Sequence, residues 1–313
     1  MGTSLRARFA RQVMVTELAR RNSIVPRGER TVEQARAELD HQGRLLRLPH
    51  DLHFNRGEVG GVGGEWLEAD AHDRSARLLY LHGGGYAIGS CDSHRGIAGW
   101  VVEALGIPAF LPEYRLAPEH PFPAALDDAL ACFEALADQV PAERILVAGD
   151  SAGGGLALAL TIALRDRGAP LPGAVATMSA WTDLTGSGES LRTRADREFM
   201  LIPDLMADVA AFYHGDVEPT HPLVSPVFAD LSGLPPLLLQ VGDEEILLDD
   251  SVRVWEKARA AGTEATLRVY PGMWHVWHAL ARWVPEARRA NAEIARFWWS
   301  TIGEVPPQRR STL

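Results

Sequence analysis

A serine, a carboxylate and a histidine far apart in a chain can cleave an acyl bond if folding brings them together. The hydroxyl is a weak nucleophile until a base takes its proton, and the base needs an acceptor to orient it. The segment RILVAGDSAGGGLALAL supplies the serine: an apolar run ends at Gly149, Ser151 follows, and a helical pattern begins within two residues. Gly149, Asp150, Ser151, Ala152 and Gly153 thus read G-x-S-x-G between strand and helix. That setting is a nucleophile elbow, a turn so tight that the residues two before and two after the serine must be small. A phosphate-binding loop is the competing reading of so many glycines. Neither GxxxxGK[ST] nor GxGxxG is completed, because Leu158 stands where a third glycine is needed, and HGGGYAIG fails the same test at Ile88.

Behind such an elbow the partners follow in the order acid, then histidine. PPLLLQVGDEEILLDDS places acids just past one apolar run, and TLRVYPGMWHVWHAL places His275 just past the next. Both positions lie where strands end, on the same rim as Ser151. His278, three residues on, is expected inside the following helix and off the rim. The two histidines do not suggest a metal site, since no second His or Cys cluster accompanies them. The local pattern leaves the acid open between Asp243 and Glu245, while Asp249 and Asp250 sit where a helix N-cap would.

Elements able to hold these residues on one rim are legible from about residue 76. Apolar runs at 76–81, 107–112, 144–149, 173–179, 235–242 and 266–270 alternate with helical patterns at 94–105, 123–138, 152–168, 249–262 and 286–299. This is the signature of an α/β fold with a mostly parallel central sheet and helices on both faces. Residues 58–70, rich in glycine, read as an early edge strand. Two segments interrupt the alternation: residues 1–50, helical with a Pro/Gly break at VPRGER, and an insertion at about 184–225. An insertion after a strand, near the end of the sheet where sites form, often serves as a lid. The expected organisation is therefore cap helices over 1–50 and a catalytic domain over 51–313 that carries a helical cap insertion at 184–225.

With 313 residues and 46% hydrophobic content, the chain can bury a sizeable core without disulfides or metal. Its net charge of -10 argues against nucleic acid as a partner. Arginine concentrates near the start, where Leu5, Phe9, Val13 and Leu18 recur at near-helical intervals, so an amphipathic helix is expected, packed on the protein's own body. Arginines at 6, 8 and 11 interrupt any signal-peptide core, and no apolar run is long enough to span a bilayer. A cytoplasmic protein without stable membrane insertion is expected, with Cys91 and Cys132 as reduced, buried thiols.

HGGG at 82–85, GDSAGG at 149–154 and YRLAPEHPFPAALDD at 114–128 together resemble the hormone-sensitive lipase family of α/β-hydrolase esterases, in its GDSAG group, over roughly residues 76–298. The resemblance implies an α/β-hydrolase fold with a lid made of N-terminal helices and the later insertion. It implies a serine carboxylesterase with no cofactor, acting on short- to medium-chain acyl esters of small molecules. A deacetylase or amidase of one metabolite is the alternative, with a catalytically inactive ligand-binding receptor further off. It places the acid at Glu245, followed by the pair Asp249 and Asp250, where the family more often has aspartate. The amides of Gly84, Gly85 and Ala152 become oxyanion donors, and glycines let that backbone approach the substrate. His82 and Tyr86 are expected to brace the glycine loop, with Asp150, Glu113, Tyr114 and Arg115 holding it. Tyr86, Phe199, Met200, Leu205 and Phe212 are the candidates for contact with substrate, joined by Tyr213, with Trp181 and Asp183 at the pocket floor or cap junction. Many relatives pair through an edge strand, so a homodimer is expected.

Overall fold

The computed structural model describes residues 2–24 and 30–304, the side chains of residues 20–24 aside. The expected break at 25–30 lies outside the described residues except for Arg30. Eight strands form one sheet: β1 (His53–Val59), β2 (Val62–Glu68), β3 (Arg77–Leu81), β4 (Ala109–Pro112), β5 (Ile145–Asp150), β6 (Ala174–Met178), β7 (Leu237–Gly242) and β8 (Ala265–Tyr270). Their order is β1-β2-β4-β3-β5-β6-β7-β8. All neighbours pair parallel except β2, which runs antiparallel to both β1 and β4.

Both faces of the central strands β3 to β7 are covered, which is why these read as largely apolar runs. Leu79, Leu81, Val147 and Leu239 point to the side of α4 (Ala124–Ala137), α5 (Ala152–Asp166) and α8 (Leu248–Ala260). Leu78, Tyr80, Leu146 and Leu238 point to α3 (Cys91–Leu105) and α9 (Pro285–Thr301) on the other side. This period-2 split is the strand pleat itself.

The glycine-rich segment at 58–70 is not a lone edge strand. Gly60 and Gly61, at φ of 62° and 80°, turn β1 back onto β2, so β2 becomes an inner strand and β1 the edge. Two positive-φ residues between Val59 and Val62 are the tight hairpin turn that suits strand twist.

The N-terminal helix also departs from expectation. In α1 (Leu5–Ile24) the Leu5, Phe9 and Val13 stripe faces outward, and the packed face is Ala7, Ala10 and Met14. Small side chains let the helix approach the cluster of Met273, Trp274 and Trp277, so contact distance rather than residue size selects the buried face. Ser4 fixes its start through Glu286, whose carboxylate accepts from the Ser4 amide and hydroxyl at 2.8 Å each. Arg11 pairs with Glu244 at 2.9 Å, donates to the Arg197 carbonyl and lies over the Phe199 ring. The helix thus touches the 184–225 insertion, which holds α6 (Ser190–Thr193) and α7 (Pro203–His214). A second N-terminal helix, α2 (Val32–Leu45), starts on a Thr31–Gln34 capping box, and its Arg36 donates to the carbonyls of Ala87 and Ala117 at 2.9 Å each.

Candidate active site

Ser151 occupies the turn between β5 and α5 with φ 52° and ψ -124°, a conformation non-glycine residues rarely adopt. The strain is held from the neighbouring strand: the Ser151 amide donates to the Met178 carbonyl, and the Trp181 amide donates to the Ser151 carbonyl, both at 2.9 Å. A Cβ on Gly149 would overlap the backbone of Gly153, and one on Gly153 would overlap the carbonyls of Leu81 and His82. The elbow therefore closes only with glycine at both positions.

His275 lies past β8, with Nε2 3.0 Å from Ser151 Oγ and Nδ1 2.9 Å from Glu245 Oε2. Glu245 is fully buried past β7, and its Oε1 accepts from the Gly242 amide at 2.6 Å and the Ser179 hydroxyl at 2.7 Å. Burial by itself would lower the His275 pKa, but the hydrogen bond and charge of Glu245, backed by Glu198 and Asp150, turn the net shift upward. Of the two acids left open, Glu245 is the one within hydrogen-bond reach of His275. Asp243 is engaged elsewhere, its Oδ1 accepting from the Gly272 amide at 2.6 Å. Glutamate spans the gap because Ser179 and Gly242 anchor the far oxygen of its longer side chain.

Ser179 was not legible as a site residue. It sits just after β6 at φ 53°, donates to Glu245 and accepts the Val276 amide at 3.1 Å, so one hydroxyl joins the acid to the loop that carries His275. His278 is buried away from the rim, in a short 3-10 turn (Trp277–Leu280) rather than an α-helix. Its Nε2 meets Gln240 Oε1 at 2.9 Å, and burial lowers its pKa to about 3. Among the described residues no group of three or more His, Cys, Asp or Glu is placed to hold a metal ion.

The glycine loop lies beside the elbow. Gly83 stands against Asp150 and Ser151, and Gly84 and Gly85 have φ of 113° and 62°. Among the described residues no acceptor pairs with the Gly84 and Gly85 amides, while the Ala152 amide belongs to the first helical turn, where no intrahelical acceptor exists. Gly84 spends its carbonyl on the Ala87 and Ile88 amides, which curls the loop. His82 stacks on Tyr114 at 4.1 Å and bonds the Gly83 carbonyl through Nδ1 at 2.8 Å, and Tyr114 donates to the His82 carbonyl at 2.7 Å. Burial, with His94 nearby, lowers the His82 pKa to about 3, so the ring is neutral.

Behind the loop Asp150 accepts from Tyr80 at 2.7 Å and faces His94 Nε2 at 3.4 Å. Burial would raise the Asp150 pKa, but His94 and Tyr80 outweigh it and the net shift is downward. Two of the residues expected to hold the loop act elsewhere. Arg115 forks onto Asp128 of α4, and Glu113 accepts the Cys91 amide at 2.9 Å. Asp249 and Asp250 are likewise not N-caps. Leu247 is the N-cap of α8, and the two carboxylates reach sideways, Asp249 to the Ser190 amide and Asp250 to the amides of Thr182 and Asp183. Both cysteines are free and buried, and burial pushes the Cys132 thiol up to about 12.

The candidates for substrate contact divide. Tyr86 is buried, stacked on Tyr213 at 3.7 Å with Trp181 beyond, a bracing position. Phe199 and Met200 pack with Trp274, the neighbour of His275. Leu205 is half-buried at the start of α7, but Phe212 is exposed. Helical spacing puts Met206, Val209, Ala210 and Tyr213 on the face α7 turns inward, which leaves Phe212 at its border. Trp181 and Asp183 are buried at the junction with the insertion, Asp183 holding Arg253 at 2.6 Å.

Residues 78–279 match the family described as the alpha/beta hydrolase fold. An esterase of the bacterial hormone-sensitive lipase family superposes with a TM-score of 0.89 at 39% identity, covering 97% of this chain and all of that one. An acetyl-hydrolase of Streptomyces hygroscopicus is 44% identical over 247 residues, 79% of this chain and 82% of that protein. An esterase of Acinetobacter venetianus is 37% identical over 264 residues, 84% of this chain and 87% of its own. This chain belongs to the α/β-hydrolase family, and within it to the hormone-sensitive lipase branch.

Proposed function

We propose that this carboxylic ester hydrolase cleaves short- to medium-chain acyl esters through an acyl-enzyme on Ser151. The observation that carries the reading is the unbroken relay from Glu245 Oε2 to His275 Nδ1 at 2.9 Å and from His275 Nε2 to Ser151 Oγ at 3.0 Å. As Oγ attacks the ester carbonyl, its proton passes to His275 Nε2, and Glu245 stabilises the imidazolium that forms. The carbonyl oxygen becomes an oxyanion received by the amides of Gly84, Gly85 and Ala152, fixed before the charge appears. His275 then protonates the departing alcohol. A water, deprotonated by the same imidazole, attacks the acyl carbon, and collapse returns the proton to Ser151 and frees the carboxylic acid.

The N-terminal helices and residues 184–225 act together as the cap over the acyl and alcohol sides of the site, a reading supported by the contacts of Arg11 with Arg197 and Phe199. A cytoplasmic location and a homodimer are part of the same proposal, checked by cell fractionation and light scattering. A narrower reading, deacetylation of one dedicated metabolite, draws support from the name of the Streptomyces relative. Comparing acetylated metabolites with aryl esters separates the two. Replacement of Ser151 by alanine should abolish ester turnover and organophosphate labelling while leaving the fold; substantial residual turnover in pure protein rejects the mechanism.

A further inference from the structure

The mechanism does not use the outer face of α1. Leu5, Phe9 and Val13 are 82%, 72% and 50% exposed. Spaced four apart, they share one helical face. Arg6 and Arg8, both exposed, flank that face, and among the described residues neither has a carboxylate partner. A second patch of the same chemistry lies on the segment against which α1 packs. Trp283 is 62% exposed with Arg282 at 5.2 Å from its ring, beside Leu45 and Arg47 around a shallow cleft of about 90 Å³. Along the sequence, residues 1–30 hold seven arginines against Glu17 and Glu29, a net of +5, and the remaining residues carry -15; of these arginines, Arg11 and Arg30 are paired with Glu244 and Glu38.

We propose that this face docks the protein peripherally on an anionic lipid surface, with Leu5, Phe9 and Val13 in the headgroup boundary and Arg6 and Arg8 on lipid phosphates. Apolar side chains rimmed by cations fit a surface that is apolar inside and negative outside. A second copy of the chain fits less well, because a two-fold pairing of this face would bring like arginines together. This is contact with a membrane, not passage through it: among the described residues no helix is long and apolar enough to cross one. Docking here also orients the site. The opposite face of α1 packs on Met273, Trp274 and Trp277, which flank His275, so the lipid surface would lie one helix away from the base. On the reading of Ser151 as an ester hydrolase, the substrates so favoured are esters of amphiphiles that partition into membranes.

The test uses the full chain and sedimentation with vesicles of phosphatidylcholine alone or mixed with phosphatidylglycerol. Binding is expected only to the anionic vesicles, weakening as salt is raised. It should fall about tenfold or more in the triple variant Leu5→Ser, Phe9→Ser, Val13→Ser and in the pair Arg6→Glu, Arg8→Glu. Turnover of a water-soluble ester should stay unchanged in both, since these side chains lie on the solvent face of α1, opposite the Ala7, Ala10 and Met14 face that packs on the His275 loop. Vesicle binding does not require an active Ser151, so loss of the esterase mechanism and loss of docking are read separately. Absence of binding to anionic vesicles, or binding indifferent to both variants, overturns the proposal. So does a dimer that the apolar triple variant dissociates, which would assign the stripe to a second copy.

Discussion

Replacing Ser179 by alanine removes a hydroxyl that serves two partners, donating to Glu245 Oε1 at 2.7 Å and accepting the Val276 amide at 3.1 Å. A hydrogen bond to an ionised group contributes about 1.5–3 kcal/mol, and a buried amide left without an acceptor costs about 1–3 kcal/mol. If the first loss were felt wholly in the transition state, turnover would drop roughly 10- to 150-fold. The Gly242 amide still holds the same oxygen at 2.6 Å. The low end is therefore expected, about tenfold in kcat with KM little changed. Stability should fall as well, and a second substitution separates the two effects. Ser179 has φ 53°, where glycine is relaxed and alanine is as strained as serine. Ser179→Gly should recover about 1 kcal/mol relative to alanine while losing the same activity. The assay is steady-state hydrolysis of a short-chain aryl ester, with thermal denaturation alongside, repeated in a Glu245→Gln background where the effect on kcat should largely vanish. Full activity in Ser179→Ala, or the same fold-loss with and without the Glu245 carboxylate, would refute the view that Ser179 orients the acid.

Glu245→Gln should cost far more activity than Asp243→Asn, and the reverse order would show that the wrong carboxylate had been chosen. The acidic limb of kcat/KM should have its midpoint above the ordinary histidine value of 6.5, because His275 must be neutral to accept a proton and its pKa is raised. In Glu245→Gln the remaining influence of burial should move that midpoint down. Gly153→Ala should destabilise the fold by about 1–3 kcal/mol and reduce turnover towards background, since the added methyl meets the carbonyls of Leu81 and His82. Arg36→Ala strips donors from the carbonyls of Ala87 and Ala117, and thermal denaturation should register about 1–3 kcal/mol.

Of the six parallel strands, β3 to β7 were legible because burial leaves them largely apolar, while the edge strand β8, half-exposed and carrying Arg268, was legible from its place between two helical patterns. β1 was not, because its residues are mostly exposed and give no alternation; only the paired glycines at 60 and 61 signalled a hairpin. Ser151 and His275 could be placed on one rim because each closely follows a strand, a position the sequence pattern conveys. Asp243 and Glu245 could not be told apart in the sequence, since two acids in one loop differ only in which way the backbone turns them. Ser179 left no trace, because a lone serine after a strand matches no motif and a positive φ cannot be read from its type. On α1 the large apolar residues misled: the helix packs on Trp274 and Trp277 through the buried Ala7 and the half-buried Ala10 and Met14, a face with fewer large residues than the exposed one.

The N-terminal helix has its partners at the opposite end of the chain, Ser4 on Glu286 and Ala7 among Trp274 and Trp277. This helix is therefore synthesised well before the residues it rests on, with Ser4 lying 282 positions ahead of Glu286. A nascent chain halted before Trp274 would display that segment without its dock.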